Sequence, residues 1–192
     1  MTSNMVEYSD RLRKTDWEVK DITFAVASEL VKRYHYAHGA ANTATVLHGL
    51  YRKGIDTPVG VAWWLPPTKS CALATYPENW QGVLSLSRLV VAPDVPKNAC
   101  SFMLGKSMRM IDRKRWPCFV TYADAWQGHS GTIYKATNWT YAGVTRKEPV
   151  FVLNGRMVSR KAGPVTRTHA QMKELGAEIV GRFSKHKFVH VV

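Results

Sequence analysis

Acidic residues are in short supply. Only 14 Asp and Glu stand against 27 Lys and Arg in 192 residues, leaving a formal net charge of +13. That balance excludes an acidic solvating chain and points to a polyanionic partner. Cysteine is also scarce. Cys71, Cys100 and Cys118 are odd in number, widely spaced and form no C-x-x-C pair, which argues against a disulfide framework or a cysteine zinc site. No apolar run approaches the roughly 18 residues that a membrane helix needs. The start of the sequence is polar and carries acids, unlike a leader peptide, so a cytoplasmic location and no membrane partner are expected. Gly/Ser linkers, internal repeats and low-complexity tracts are absent too, which favours a single domain over 1–192.

What is present is the composition of a packed domain, 45% hydrophobic and 11% aromatic. A chain of this length buries about 70% of its surface on folding, enough to stabilise a core without staples. Residues 1–20 form a polar lead-in. From Ile22, apolar residues at 25, 26, 30 and 31 recur at three- and four-residue steps, predicting a helix that runs into Tyr34-His35-Tyr36 and stops by Gly39. Residues 45–51 and 59–65 are rich in β-formers and flank a turn, hence a hairpin. A long loop over 66–82 carries Trp80.

The next stretch predicts a strand at 83–91, a turn with two prolines, a helix at 99–113, a strand at 118–124 and a second helix at 128–138. Strand, helix, strand implies parallel neighbours. Strands at 141–145 and 149–153, an Asn154-Gly155 hairpin turn and a helix at 168–175 follow. The class is α+β, a mixed sheet flanked by helices with an antiparallel hairpin first. Residues 145–192 form a basic elaboration with ten Lys and Arg against three Glu, the expected docking surface, with Arg160, Lys161 and Arg167 as phosphate contacts. A solvated basic face is the blander reading.

Alternation along the strand puts Leu84, Leu86, Arg88 and Val90 on one face, so a permanent cation interrupts an apolar row. Asp124 stands at the carboxyl end of the following strand, where open α/β sheets place ligands. The two serve either as a pocket pair or as a buried ion pair that fixes register. Lys97, Asn98 and Ser101 open a helix directly after a strand and are candidates to hold an anion or to cap that helix. Tyr134 is a candidate acid or a packed tyrosine. His35 and Tyr36, with His38 nearby, are a base, a base-stacking pair or half a metal site; with no third ligand in view, no metal is expected.

In their order, His35-Tyr36, Trp80, Leu86-Ser87-Arg88, Pro96-Lys97-Asn98, Tyr122-Ala123-Asp124 and Gly131-Thr132-Ile133-Tyr134-Lys135-Ala136 resemble the bacteriophage Mom family. That family modifies adenine in DNA and is related in fold to the GNAT N-acetyltransferases. The resemblance spans about 31–141. It implies a GNAT-like mixed sheet with splayed parallel strands, and an active site lined by His35, Tyr36, Arg88, Asp124 and Tyr134. It further implies duplex DNA and a small-molecule group donor as partners, and an N6-carbamoylmethyl product. Lys97, Asn98 and Ser101 would stand where GNAT proteins hold the cofactor pyrophosphate. Asp124 would take the amine proton, Arg88 would orient Asp124 or the donor, Tyr134 would protonate the leaving group, and Tyr36, His35 and Trp80 would contact the extruded base. The glycine-rich turn that lets a GNAT backbone approach acetyl-CoA is absent, and the first glycine, Gly105, comes a turn inside the helix. An acyl-CoA-like donor is therefore left open. Two other classes stand beside this reading: a GNAT enzyme acylating a protein or small-molecule amine, and a non-catalytic DNA-binding module.

Overall fold

The computed structural model describes residues 11–36, 41–162 and 165–191. A seven-stranded sheet has the order β1-β2-β3-β4-β5-β12-β6, formed by β1 (Trp17–Asp21), β2 (Val46–Arg52), β3 (Gly60–Leu65), β4 (Val83–Val91), β5 (Cys118–Asp124), β12 (Lys185–Val191) and β6 (Thr140–Val144). A smaller sheet has the order β11-β7-β8, from β11 (Glu178–Phe183), β7 (Glu148–Leu153) and β8 (Arg156–Val158). Lys161–Ala162 (β9) and Val165–Thr166 (β10) form a short antiparallel pair. The helices are α1 (Phe24–Tyr34), α2 (Lys69–Leu73), α3 (Ala99–Met110), α4 (Thr132–Lys135) and α5 (His169–Glu174). This is a mixed α+β sheet fold, as expected. The described residues fall into two compact units, one of residues up to 121 with 133–140 and the chain from 189, the other of 122–132 and 141–188.

In the first unit, β1, β2, β3 and β4 pair antiparallel, and β4 pairs parallel with β5. The parallel ladder covers Val83↔Cys118, Leu84↔Phe119 and Ser85↔Val120. Immediately beyond it, the Thr121 hydroxyl donates to the Leu86 carbonyl at 3.2 Å, giving that acceptor a side-chain partner. Thr23 caps α1, accepting the Val26 N–H. The buried stripe Ala27, Leu30 and Val31 of α1 packs on Val61 and Trp63 of β3. On the opposite face of β3, Trp64 donates its indole N–H to Ser107 of α3 at 2.8 Å, and Trp63 donates its own to the Thr43 carbonyl at 2.9 Å. Two fully buried tryptophans thus keep their polar atoms paired.

Several expectations need correction. The polar lead-in over 1–20 carries an element the sequence did not predict: residues 17–21 form the edge strand β1, whose Trp17 is buried. The loop over 66–82 contains α2, capped by Thr68, and a 3₁₀ segment at Pro77–Gly82 whose end is tied by the Gly82 N–H to Asn79. The shared face of Leu84, Leu86, Arg88 and Val90 is broken. Trp63 pairs with Arg88 but Trp64 pairs with Leu86, so Ser87 is the extra residue of a β-bulge. A bulge shifts the alternation by one. Arg88 and Val90 therefore share the Trp63 face with α1, while Leu84 and Leu86 share the Trp64 face with α3. The helix expected at 128–138 shortens to the single turn α4, preceded by a 3₁₀ turn at Ala125–Gln127 that ends on Gly128 in the left-handed region.

A polar chain running from the exposed Asp21 to the buried His48 and Ser107 ties this unit together. His48 Nδ1 lies 2.7 Å from Ser107 Oγ, and His48 Nε2 lies 3.3 Å from Asp21 Oδ1. A carboxylate only accepts, so Nε2 carries the proton and the bare Nδ1 accepts the serine hydroxyl. Burial holds the His48 pKa below 6.5 despite the pull of Asp21. The unfolded histidine takes up a proton below about pH 6.5 while the folded one resists it. Its contribution to stability is therefore complete above that pH and declines as pH falls through it. The unfolding free energy obtained from urea titrations should fall between pH 7 and 5.5, by up to about 1.4 kcal/mol per pH unit from this residue. His48→Asn should flatten the slope.

In the second unit, Asn154 (φ 51°) and Gly155 (φ 74°) both adopt left-handed conformations and close the predicted hairpin as a two-residue turn between Leu153 and Arg156. Thr168 and Gln171 form a reciprocal capping box on α5. Phe151, Met172 and Ala177 make the core between α5 and the small sheet.

Candidate functional site

The end of α1 and the bulged strand β4 bring three of the expected residues to one face of the first unit. His35 caps the helix, its N–H bonded to the Val31 carbonyl. It is only 8% exposed, and its ring stacks on Tyr36 at 4.3 Å between centroids and 29° between planes. Arg88, brought to this face by the bulge, donates Nη1 to the Ser87 carbonyl at 2.8 Å and to the Ser87 hydroxyl at 3.2 Å. Burial depresses the Arg88 pKa, and the Tyr36 phenol opposes that shift. His38 lies outside the described residues. Among the described residues, no group of three His, Cys, Asp or Glu side chains is disposed to bind a metal.

Tyr134, at α4 in the same unit, packs against Trp139 at 5.7 Å. Burial raises its pKa, a hydrogen bond with Thr121 lowers it, and Cys100 raises it further. The net upward shift keeps the phenol protonated near neutral pH, as a proton donor must be. The three cysteines are free, and burial pushes the Cys100 thiol up to about 12, so it is no nucleophile. Trp80 is half-buried with Lys69 Nζ 5.2 Å from its ring centroid.

Asp124 is 6% exposed and belongs to the second unit. Its Oδ1 accepts the Trp126 N–H at 3.2 Å, capping the 3₁₀ turn, and its Oδ2 lies 3.2 Å from Lys185 Nζ. Sequence reasoning misses Lys185, which lies 61 positions away with no local signal. In the same unit, Arg160 spends Nε on the Arg167 carbonyl at 2.8 Å, so it braces the segment it was expected to dock with. Lys161 is exposed and Arg167 half-buried.

The turn before α3 tests whether an acyl-CoA pyrophosphate fits as it does in GNAT proteins. Asn98 Oδ1 accepts the Leu12 N–H at 2.6 Å, and the Ser101 hydroxyl donates to the Asn98 carbonyl at 3.0 Å. The Ala99 N–H is bonded to the Pro96 carbonyl at 2.9 Å, and Ala99 is fully buried. The Asn98 and Ser101 side-chain oxygens and the Ala99 N–H are thus engaged inside the protein and the turn has no glycine, so it lacks the glycine-lined approach that a GNAT turn offers a pyrophosphate. Asn98 and Ser101 do line a cleft of about 670 Å³ that runs along α3 to Arg113, whereas Lys97 is exposed outside it.

A sheet of this order, with a short parallel β4–β5 ladder and a helix between the two strands, defines a GNAT-like fold. Among solved structures, the ribosomal-protein-S18-alanine N-acetyltransferase from Escherichia coli is similar at a TM-score of 0.56 and 10% identity, over 92% of this chain and 94% of that one. An N-acetyltransferase from Staphylococcus aureus Mu50 gives 0.53 and 11%, over 92% and 98%. The ribosomal-protein-alanine N-acetyltransferase from Brucella melitensis gives 0.54 and 10%, over 91% and 99%. At such identities the likeness concerns the fold. No curated protein sequence matches the chain. The model of the Mom protein family matches residues 16–190, and the chain belongs to that family.

Proposed function

We propose that this protein is a phage DNA-modification enzyme that transfers a carbamoylmethyl-type group to the N6 amine of adenine in duplex DNA. The family match over 16–190 carries this reading, and the charge of +13 supports it. An adenine amine conjugates with its ring, is a weak nucleophile and lies inside the base stack, so such an enzyme must extrude the base and assist proton loss. In the proposed step the amine nitrogen bonds to the donor carbon as the bond from that carbon to the leaving group breaks. The Asp124 carboxylate takes the amine proton, and the Tyr134 phenol gives its proton to the leaving group. Arg88 orients the donor's carbonyl or carboxyl oxygen through its planar fork, with Tyr36 beside it to contact the base. Lys185 and the Trp126 N–H hold the Asp124 carboxylate in place.

Expressing the protein in a bacterium and digesting the DNA to nucleosides tests the reading. An adenosine nucleoside of increased mass is expected, and unmodified DNA would refute it. An acyltransferase acting on a protein or small-molecule amine would instead leave the DNA unchanged and acylate amines elsewhere. For docking, the double substitution Lys161→Gln with Arg167→Gln should weaken DNA binding and reduce the slope of log K against log salt by about 1.8, since each neutralised phosphate adds about 0.9 to it. An unchanged slope would remove these residues from the docking surface.

A further inference from the structure

The cleft along α3 holds an unusual set of charges. Its lining includes Lys14, Lys106, Arg109, Arg113 and His190, and among the described residues that line it there is neither Asp nor Glu. Lys106 and Arg109 follow at a step of three on the last turns of α3, and Arg113 joins them from the turn beyond the helix, which ends at Met110 with Ile111 extended. Like charges at that spacing repel unless an anion lies between them.

Arg113 shows a site built from within. Its guanidinium carbon lies 3.8 Å from the Phe119 ring centroid, and Nη2 lies 3.1 Å from His190 Nδ1. A guanidinium only donates, so that histidine nitrogen is bare and His190 faces Arg113 as a neutral acceptor. Burial and Arg113 both lower the His190 pKa. Arg113 Nε is buried and has no hydrogen-bond partner, a costly state for a buried donor. Phe102 adds an apolar wall, with Lys106 Nζ 6.0 Å from its ring centroid. Gly105 lines the cleft, and the nearest atoms to a Cβ placed there would be the Arg109 guanidinium nitrogens at 3.7–3.8 Å. Helix interiors disfavour glycine, and here it keeps the wall low where the cations gather.

We propose that this cleft binds a phosphorylated small molecule with at least two phosphate groups, gripped by the side chains of Lys106 and Arg109 on α3 and of Arg113 just beyond it rather than by the turn at 97–101. Its volume lies within the roughly 300–1,000 Å³ of small-molecule sites. A duplex is too wide to reach a guanidinium half-buried at its wall, whereas the forked arginines suit free phosphates. Phe102 offers a surface for a base or an apolar tail. The lack of a glycine in the turn and the cationic cleft beside it are complementary observations, and the proposal does not depend on which group is transferred to DNA.

Calorimetric titration with inorganic pyrophosphate and with ATP tests it, with inorganic phosphate and a short DNA duplex as further arms. Pyrophosphate and ATP should bind at least tenfold more tightly than phosphate. The exposed pair Lys106→Glu with Arg109→Glu should weaken both by at least tenfold, with duplex affinity unchanged within twofold. Arg113→Lys, which keeps the charge but loses the fork, should also weaken them. Absence of binding by both probes, or wild-type binding by the double variant, overturns the proposal. So does a double variant that loses duplex affinity while the small anions fail to compete with DNA, since the cleft would then be a DNA surface. A protein that modifies DNA but ignores both probes refutes the cleft and leaves the function standing, and the converse result separates the two in the other direction.

Discussion

Asp124→Asn should lower the yield of modified adenosine by about 10²–10⁴-fold, the range a general base contributes, with DNA affinity unchanged within twofold. Asparagine is the informative replacement because the carboxylate has a structural task as well. Its Oδ1 accepts the Trp126 N–H that starts the 3₁₀ turn, and an amide oxygen does the same. What asparagine lacks is the capacity to take a proton and the charge that meets Lys185 at 3.2 Å. The Lys185 side chain is half-exposed, so losing that ion pair should cost no more than about 1 kcal/mol of stability. Activity and stability therefore separate. A nucleoside-digest mass assay gives the first and a urea midpoint the second. Full activity in Asp124→Asn would remove this carboxylate from the mechanism, and a large fall in the midpoint would show that its role is structural.

The parts of this molecule that were legible from sequence are those encoded locally. The hairpin of β2 and β3, the strand, helix and strand around α3, the Asn154-Gly155 turn and the cap of α5 are each specified by residues within a few positions of one another. The bulge at Ser87 was not legible, because an alternation rule has no way to register one extra residue whose effect is defined only against the partner strand. That single residue moved Arg88 from the α3 face to the α1 face, beside Tyr36. β1 was hidden because a short edge strand in a polar segment carries no periodic signal beyond Trp17 and Val19. The Thr68 cap could have revealed α2, since its side chain accepts the Cys71 N–H three residues on. The spacing of Lys106 and Arg109 was also readable as part of a charged helix face, whereas Arg113 lies beyond the end of α3. Lys14 and His190, drawn from far along the chain, complete that cleft and could only be seen in three dimensions.

Gly131→Ala should destabilise the protein by roughly 2–5 kcal/mol, combining about 1–2 kcal/mol for a left-handed backbone and about 1–3 for overpacking. Gly131 has φ 76°, a conformation that a Cβ disfavours. A Cβ there would also overlap the ring of Phe188, which is fully buried and packed on Tyr141 at 5.4 Å between centroids, so the ring has little room to retreat. The two causes are separable. In a Phe188→Leu background the overlap is relieved while the backbone cost stays, so the same Gly131→Ala step should then cost only about 1–2 kcal/mol. Urea unfolding of the four proteins of this double-mutant cycle measures the difference. Equal costs in both backgrounds would mean that the ring does not press on residue 131. The glycine that opens the Gly-Thr-Ile-Tyr stretch is thereby explained by close approach of an aromatic ring and a positive φ, and no contact with substrate is needed to account for it.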